Sequence, residues 1–233
     1  MKRFLPWLAC LALVACGAQN SPGSSSDGDP GTKATAGSGA AAANPRELTG
    51  LSTVPAISDP VPVAGDFHQR LPVTVKDHEG NSVTVTDTSR ILALDINGTL
   101  SRTVIALGYG DKLVGRTVSS TEKRLASLPV VTQSGHQLNA ESIIALKPSV
   151  ILADRSVGPP EAIDQLKATG IPVVLVDSHR SVASAGTLIK TIAHALGADD
   201  AGTALAKRTD GEIAAAKRQI AQWAPKQKLD VAF

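Results

Sequence analysis

Cysteine is almost missing from this chain. Cys10 and Cys16 are the only two, and both lie near the N-terminus. From Gly17 onward no internal disulfide and no thiolate metal site can form, so an apolar core must hold the fold. Aromatic residues are scarce too, at 3%, which argues against large stacking surfaces. Charge of one sign is missing too. Lys and Arg total 23 against 21 Asp and Glu, and Lys2 and Arg3 supply that excess. The remainder is neutral and gives no electrostatic footing for nucleic acid or an anionic membrane. No Gly-x-Gly-x-x-Gly or Walker-type loop occurs, so nucleotide binding has no support. The apolar stretch Phe4 to Val14, broken by Pro6, falls short of the roughly 20 residues that cross a bilayer.

What is present at the N-terminus reads as an address. Lys2 and Arg3 form a basic n-region, and Phe4 to Val14 form a secretory h-region. The string Leu13-Val14-Ala15-Cys16 resembles the bacterial lipobox, which implies a signal peptide over residues 1–16 and lipidation of Cys16. Residues 17–65 form the tether and its lead-in. Gly17 to about Pro45 is Ser, Gly, Ala, Asp and Pro, too polar to offset its ordering entropy, and about 30 such residues reach about 30 Å. Arg46 to Gly65 is Pro-rich and is expected to be extended and weakly ordered.

From Leu71 the pattern changes. Leu71 to Val75 and Ser82 to Thr86 alternate β-branched residues around Asp77-His78-Glu79-Gly80-Asn81, a hairpin with a polar turn. Strands then alternate with helices. Arg90 to Asp95 is a strand, Thr99 to Leu107 a helix closed by Gly108, and Lys112 to Arg116 a short strand. Asn139 caps a helix through Leu146 that Pro148 stops, followed by a strand at Ser149 to Ala153. Pro159-Pro160 opens a helix that Gly170 closes, and Pro172 to Val176 is another strand. Val182 to Leu196 carries an apolar i, i+3, i+4 stripe, and a longer helix runs from Ala201 to about Trp223. Near-continuous apolar strands separated by helices imply α/β architecture with an open parallel sheet covered on both faces. Leu229 to Phe233 reads as a strand beginning without a partner, so the chain is expected to be truncated.

Such sheets take ligands at the carboxyl ends of their strands. Candidates there are Asp95, Asn97, Arg116, Ser119, Asp154, Arg155, Asp177, His179 and Arg180. His136, in the loop before Asn139, places a neutral imidazole at the same edge, and imidazole is a common metal ligand. His179 is a candidate second ligand in a zinc- or manganese-type site. His78 reads as a turn residue, His194 as structural, and His68 falls in the lead-in.

The lipobox and tether, the hairpin ending in Arg90-Ile-Leu-Ala-Leu, Asn139-Ala-Glu141-Ser-Ile-Ile-Ala-Leu-Lys-Pro-Ser-Val-Ile-Leu and Gln165-Leu-Lys-Ala-Thr-Gly-Ile-Pro-Val together resemble the substrate-binding lipoproteins of iron-type ABC importers. Members of that family bind haem, ferric siderophores or cobalamin between two α/β lobes joined by one long helix. Gly135-His136 before Leu-Asn-Ala-Glu is most similar to the haem-binding branch of actinobacterial haem importers. The resemblance implies residues 66–198 as the N-terminal lobe, 199–224 as the interlobe helix and 225–233 as the start of a second lobe. It further implies haem as transported ligand, His136 as axial iron ligand, and Arg116, Arg155 or Arg180 as fork donors to propionates. Glu141, at a helix start where a carboxylate is favoured, would dock on the ABC permease. The implied protein is lipid-anchored on the extracytoplasmic face of the cell membrane, takes up iron as haem and catalyses nothing. In actinobacterial-looking members the opposite axial ligand is a tyrosine of the second lobe; Tyr109, the only tyrosine here, sits at a helix end and reads as packing.

Two other readings differ in kind. A ferric siderophore or cobalamin receptor would keep the fold and change the ligand. An enzyme is suggested by Asp95-Ile-Asn97-Gly98-Thr99, which resembles the nucleophile signature of haloacid-dehalogenase-like phosphatases. There the first Asp attacks phosphorus and the second protonates the leaving group. Asn97 stands in the second place and has no carboxylic proton to give.

Overall fold

Alternation sets the first elements of the computed structural model, which describes residues 58–133 and 135–223. Strands β1 (Val73–Lys76) and β2 (Ser82–Val85) pair antiparallel with Val75 opposite Val83. Asp77 builds the turn between them: one carboxylate oxygen accepts the backbone N–H groups of Glu79 and Asn81. The N–H of His78 then donates to the Leu175 carbonyl at 2.8 Å, fastening the hairpin to the main sheet.

The main sheet is parallel. Strands β3 (Ile91–Leu94), β6 (Val150–Ala153) and β7 (Val173–Leu175) lie in the order β3-β6-β7 and are buried along their whole length. Successive side chains point to opposite faces. Ile91, Ala93, Val150, Leu152 and Val174 pack with helices α1 (Thr99–Ala106), α4 (Ala185–Ala195) and α5 (Asp199–Trp223). Leu92, Leu94, Ile151, Val173 and Leu175 pack with α2 (Ala140–Ala145) and α3 (Pro160–Ala168). The open parallel sheet with helices on both faces is therefore as the sequence implied. No helix among the described residues is long and apolar enough to cross a membrane.

Three details differ from the sequence reading. Lys112 to Arg116 is not a ladder strand. It touches its neighbours through single bridges, Ile91 to Leu113 and Arg116 to Val130. Gly115 sits against the Leu146, Leu92 and Val131 side chains, which leave little room for a Cβ there. Helix α4 starts at Ala185 rather than Val182, because Ser181 and Ser184 bond each other's hydroxyl and backbone groups in a local turn. Such hydroxyls compete with helical pairing. The end of the lead-in is also tied down. Asp59 accepts the N–H groups of Lys123 and Arg124, Val63 N–H donates to the Ala106 carbonyl, and Arg208 donates to the Val61 carbonyl. The first half of α5 is packed through Ala201, Leu205 and Ala206, while Ile220 beyond it is exposed. The signal peptide with Cys16, the tether through residue 57, and the strand start at residues 225–233 lie outside the described residues.

Candidate functional site

The carboxyl ends of β3, β6 and β7 open on one edge, and His136 stands there on a small hairpin. Its strands are β4 (Thr132–Gln133) and β5 (Gln137–Leu138), paired antiparallel. The loop leaving β6 grips this hairpin from the other side. Gly158 N–H donates to the His136 carbonyl at 3.3 Å, and the Leu138 N–H donates to the Gly158 carbonyl at 2.6 Å. Beneath it, Val157 and Leu138 are buried in the same cluster. The imidazole itself is exposed, and among the described residues no side chain hydrogen-bonds it. Its backbone is fixed on two sides while its ring is offered to solvent.

The helix that follows is short and well started. Asn139 accepts the Ser142 N–H at 2.8 Å, and Glu141 lies exposed in the first turn of α2. This satisfies one of the donors that every helix start leaves open.

The three arginines expected near the ligand differ in what they already hold. Arg180 reaches back from the loop after β7. It pairs with Asp154 and lies 4.0 Å from Asp95, two carboxylates that are completely buried. Asp95 also accepts the Thr99 N–H at 2.8 Å, at the start of α1. Burial pushes its carboxyl above the ordinary range, with the Thr99 hydrogen bond pulling the other way and neighbouring Asp154 raising it further. Asp154 also holds Ser156, whose hydroxyl oxygen accepts the Ile96 N–H. Arg155 turns sideways. Its Nε donates to Glu79 at 2.8 Å, and a second nitrogen lies 3.5 Å from Asp164. Lys167 completes that group at 3.0 Å from Glu79. Hydrogen bonds from Lys167 and then Arg155 hold the Glu79 carboxyl below its usual value. Arg116 has no carboxylate among the described residues. It donates to the Thr117 and Ser120 carbonyls at 3.5 and 3.4 Å, and its buried Nε has no partner.

The other histidines are placed apart from His136. His78 Nε2 is 4.0 Å from Asp177, which also accepts the His179 backbone N–H. Both histidines line a cavity of about 280 Å³ between the β1–β2 turn, the end of β7 and α4. Among the described residues no three His, Cys, Asp or Glu side chains are arranged to hold a metal ion. His194 pairs with Asp199 at 2.9 Å, and Tyr109 packs half-buried against the core with Lys112 over its ring. Asp95, the would-be phosphatase nucleophile, is buried with its oxygens turned to the N–H groups opening α1. The motif acts here as a helix start.

Sequence reasoning missed Glu79, Gly158 and Val118. Val118 is an apolar residue 48% exposed at the same edge, its N–H fixed by Thr132 Oγ1 at 3.0 Å. An apolar residue two places past the last position of a strand-like run was the one readable signal. Glu79 and Gly158 carried none.

A parallel sheet covered on both faces, with the carboxyl edge of its strands open, is an architecture that takes ligands at that edge. The chain belongs to the periplasmic binding protein family, whose model matches residues 96–231. It is 32% identical over 146 residues to an uncharacterized ABC transporter substrate-binding lipoprotein, YvrC, of Bacillus subtilis; the match covers 61% of this chain and 45% of that one. It is 42% identical over 72 residues to a vitamin B12-binding protein of Yersinia pestis, covering 31% of this chain and 26% of the relative. Among solved structures it is similar to the heme binding protein HmuT, with 45% identity and a TM-score of 0.77 over 80% of this chain and 60% of the other. It is similar also to the periplasmic heme-binding protein RhuT from Roseiflexus sp. RS-1 in apo form, with 31% identity and a TM-score of 0.55 over 60% and 52%. The chain thus spans less than half the length of these curated relatives.

Proposed function

We propose that this chain belongs to the binding component of an ABC importer that captures haem outside the cytoplasmic membrane and passes it to a permease for iron uptake. The observation that carries this reading is the His136 imidazole, exposed at the sheet's carboxyl edge on a backbone clamped by Gly158. An imidazole so held meets a metal with little reorganisation of the chain. Val118, exposed and tied through its N–H to Thr132 of the hairpin that carries His136, supplies apolar surface, and Arg116, the one of the three candidate arginines not committed to a carboxylate, takes an anionic propionate. Similarity to structures described as heme binding supports haem over other ligands of the fold. Cys16 carries the lipid anchor on the extracytoplasmic face, and Glu141 on the first turn of α2 docks on the permease.

Titration of the full-length receptor with haemin tests this. A Soret band characteristic of imidazole-ligated iron is expected, and it should be lost or shifted in His136→Ala. An identical spectrum and affinity in that variant would remove His136 from the site. The 42% identity to a vitamin B12-binding protein favours cobalamin as the second reading. Cyanocobalamin titrated in parallel decides between them.

A further inference from the structure

We propose that Arg155 is a positioning residue for His136, acting through the loop between β6 and α3 and not by touching the ligand. The inference rests on the haem reading above. Its starting point is that no side chain among the described residues orients the imidazole, so the backbone must. The grip on that backbone from outside its own hairpin is Gly158, which contacts the chain on both sides of Gln137.

The loop carrying Gly158 is held at its beginning. Ser156 is bound to Asp154 and receives the Ile96 N–H. Arg155 binds Glu79 through two nitrogens, at 2.8 and 2.7 Å, and reaches the Pro160 carbonyl at 3.4 Å. Glu79 is a firm anchor, because Asp77 fixes its turn and His78 joins that turn to β7. Force on the His136 loop is therefore carried through Gly158 and Arg155 to the far edge of the sheet. An exposed arginine–carboxylate pair adds little to overall stability. Its value here lies in registration: one carboxylate shared by Arg155 and Lys167 sets where the loop, α3 and the hairpin turn meet. A lysine at position 155 would lack the planar two-pronged geometry that defines that angle.

The test is a double-mutant cycle on the full-length receptor with haemin as probe. Arg155→Ala is expected to weaken haemin binding about 10- to 100-fold, the size typical when a partner that orients a metal ligand is lost. Glu79→Gln, which keeps the side chain's shape, is expected to weaken it in the same direction. In the His136→Ala background the Arg155→Ala change should cost nothing more, since a positioning residue has nothing left to position. The Soret band of Arg155→Ala should broaden, reporting mixed ligation, while the melting temperature of the ligand-free protein stays near wild type. Losses that multiply in the double variant would mean direct contact with the ligand or general loosening, and would overturn the proposal. So would wild-type affinity in both single variants. If His136→Ala itself were silent, the haem-ligation reading would fail first, and separately.

Discussion

Replacing Arg180 with alanine leaves two carboxylates, Asp95 and Asp154, buried at the ends of adjacent strands without their shared cation. Removing one partner of a buried pair costs about 3–5 kcal/mol, because the remaining charge is stranded. Two features reduce that here. The Arg180 side chain keeps 19% of its exposure, and each carboxylate retains N–H donors, from Thr99 and from Ser156. A loss of about 3 kcal/mol is the expectation, at the lower end of that range. With a urea slope of about 2 kcal/mol/M, the midpoint of unfolding should fall by about 1.5 M. Part should return when Asp154→Asn is added, since one stranded charge is then gone. Acid should act the same way. Asp95 is already raised in the fold, so its ionised form opposes folding above its folded pKa and the opposition fades as pH falls through that value. The deficit of Arg180→Ala should therefore shrink toward about pH 4. A midpoint unchanged from wild type at neutral pH, or a deficit that grows in acid, would refute the picture of Arg180 as a clamp on buried charge.

Two further expectations concern the neighbouring elements. Asn139→Ala removes the side chain that accepts the Ser142 N–H and should cost about 1 kcal/mol in equilibrium unfolding. Glu79 is held below its ordinary value of 4.5 by Lys167 and Arg155, so its contribution is present above that value and lost as pH falls through the depressed one. Melting temperatures recorded from neutral pH to about pH 3 at low salt should show a shallower acid decline in Glu79→Gln than in wild type.

The parallel core was legible because its signals are local. Ile91–Leu94, Val150–Ala153 and Val173–Leu175 are unbroken apolar runs between helix caps, and each became a fully buried strand. Asn139 was equally readable, since a cap acts within three residues. His136 could be assigned to a loop but not to its surroundings. The β4–β5 hairpin that displays it has two residues per strand and no apolar alternation to announce it. The arginines show the limit most clearly. Arg155 and Arg180 look alike in sequence, each just past a strand, yet one finds Glu79 and the other Asp154, partners set by the folded topology. Of the three candidate arginines Arg116 alone is left without a carboxylate among the described residues, and no property of residue 116 alone foretold that.

The single hydrogen bond from the β1–β2 turn to Leu175 has a consequence for how such molecules coexist. An open sheet ends in unsatisfied ladder groups, which invite a neighbouring molecule to add its own strand. Here a charged, bent turn occupies one such acceptor and stands in the way of an incoming chain. A neighbouring molecule that added its strand at Leu175 would first have to displace that turn.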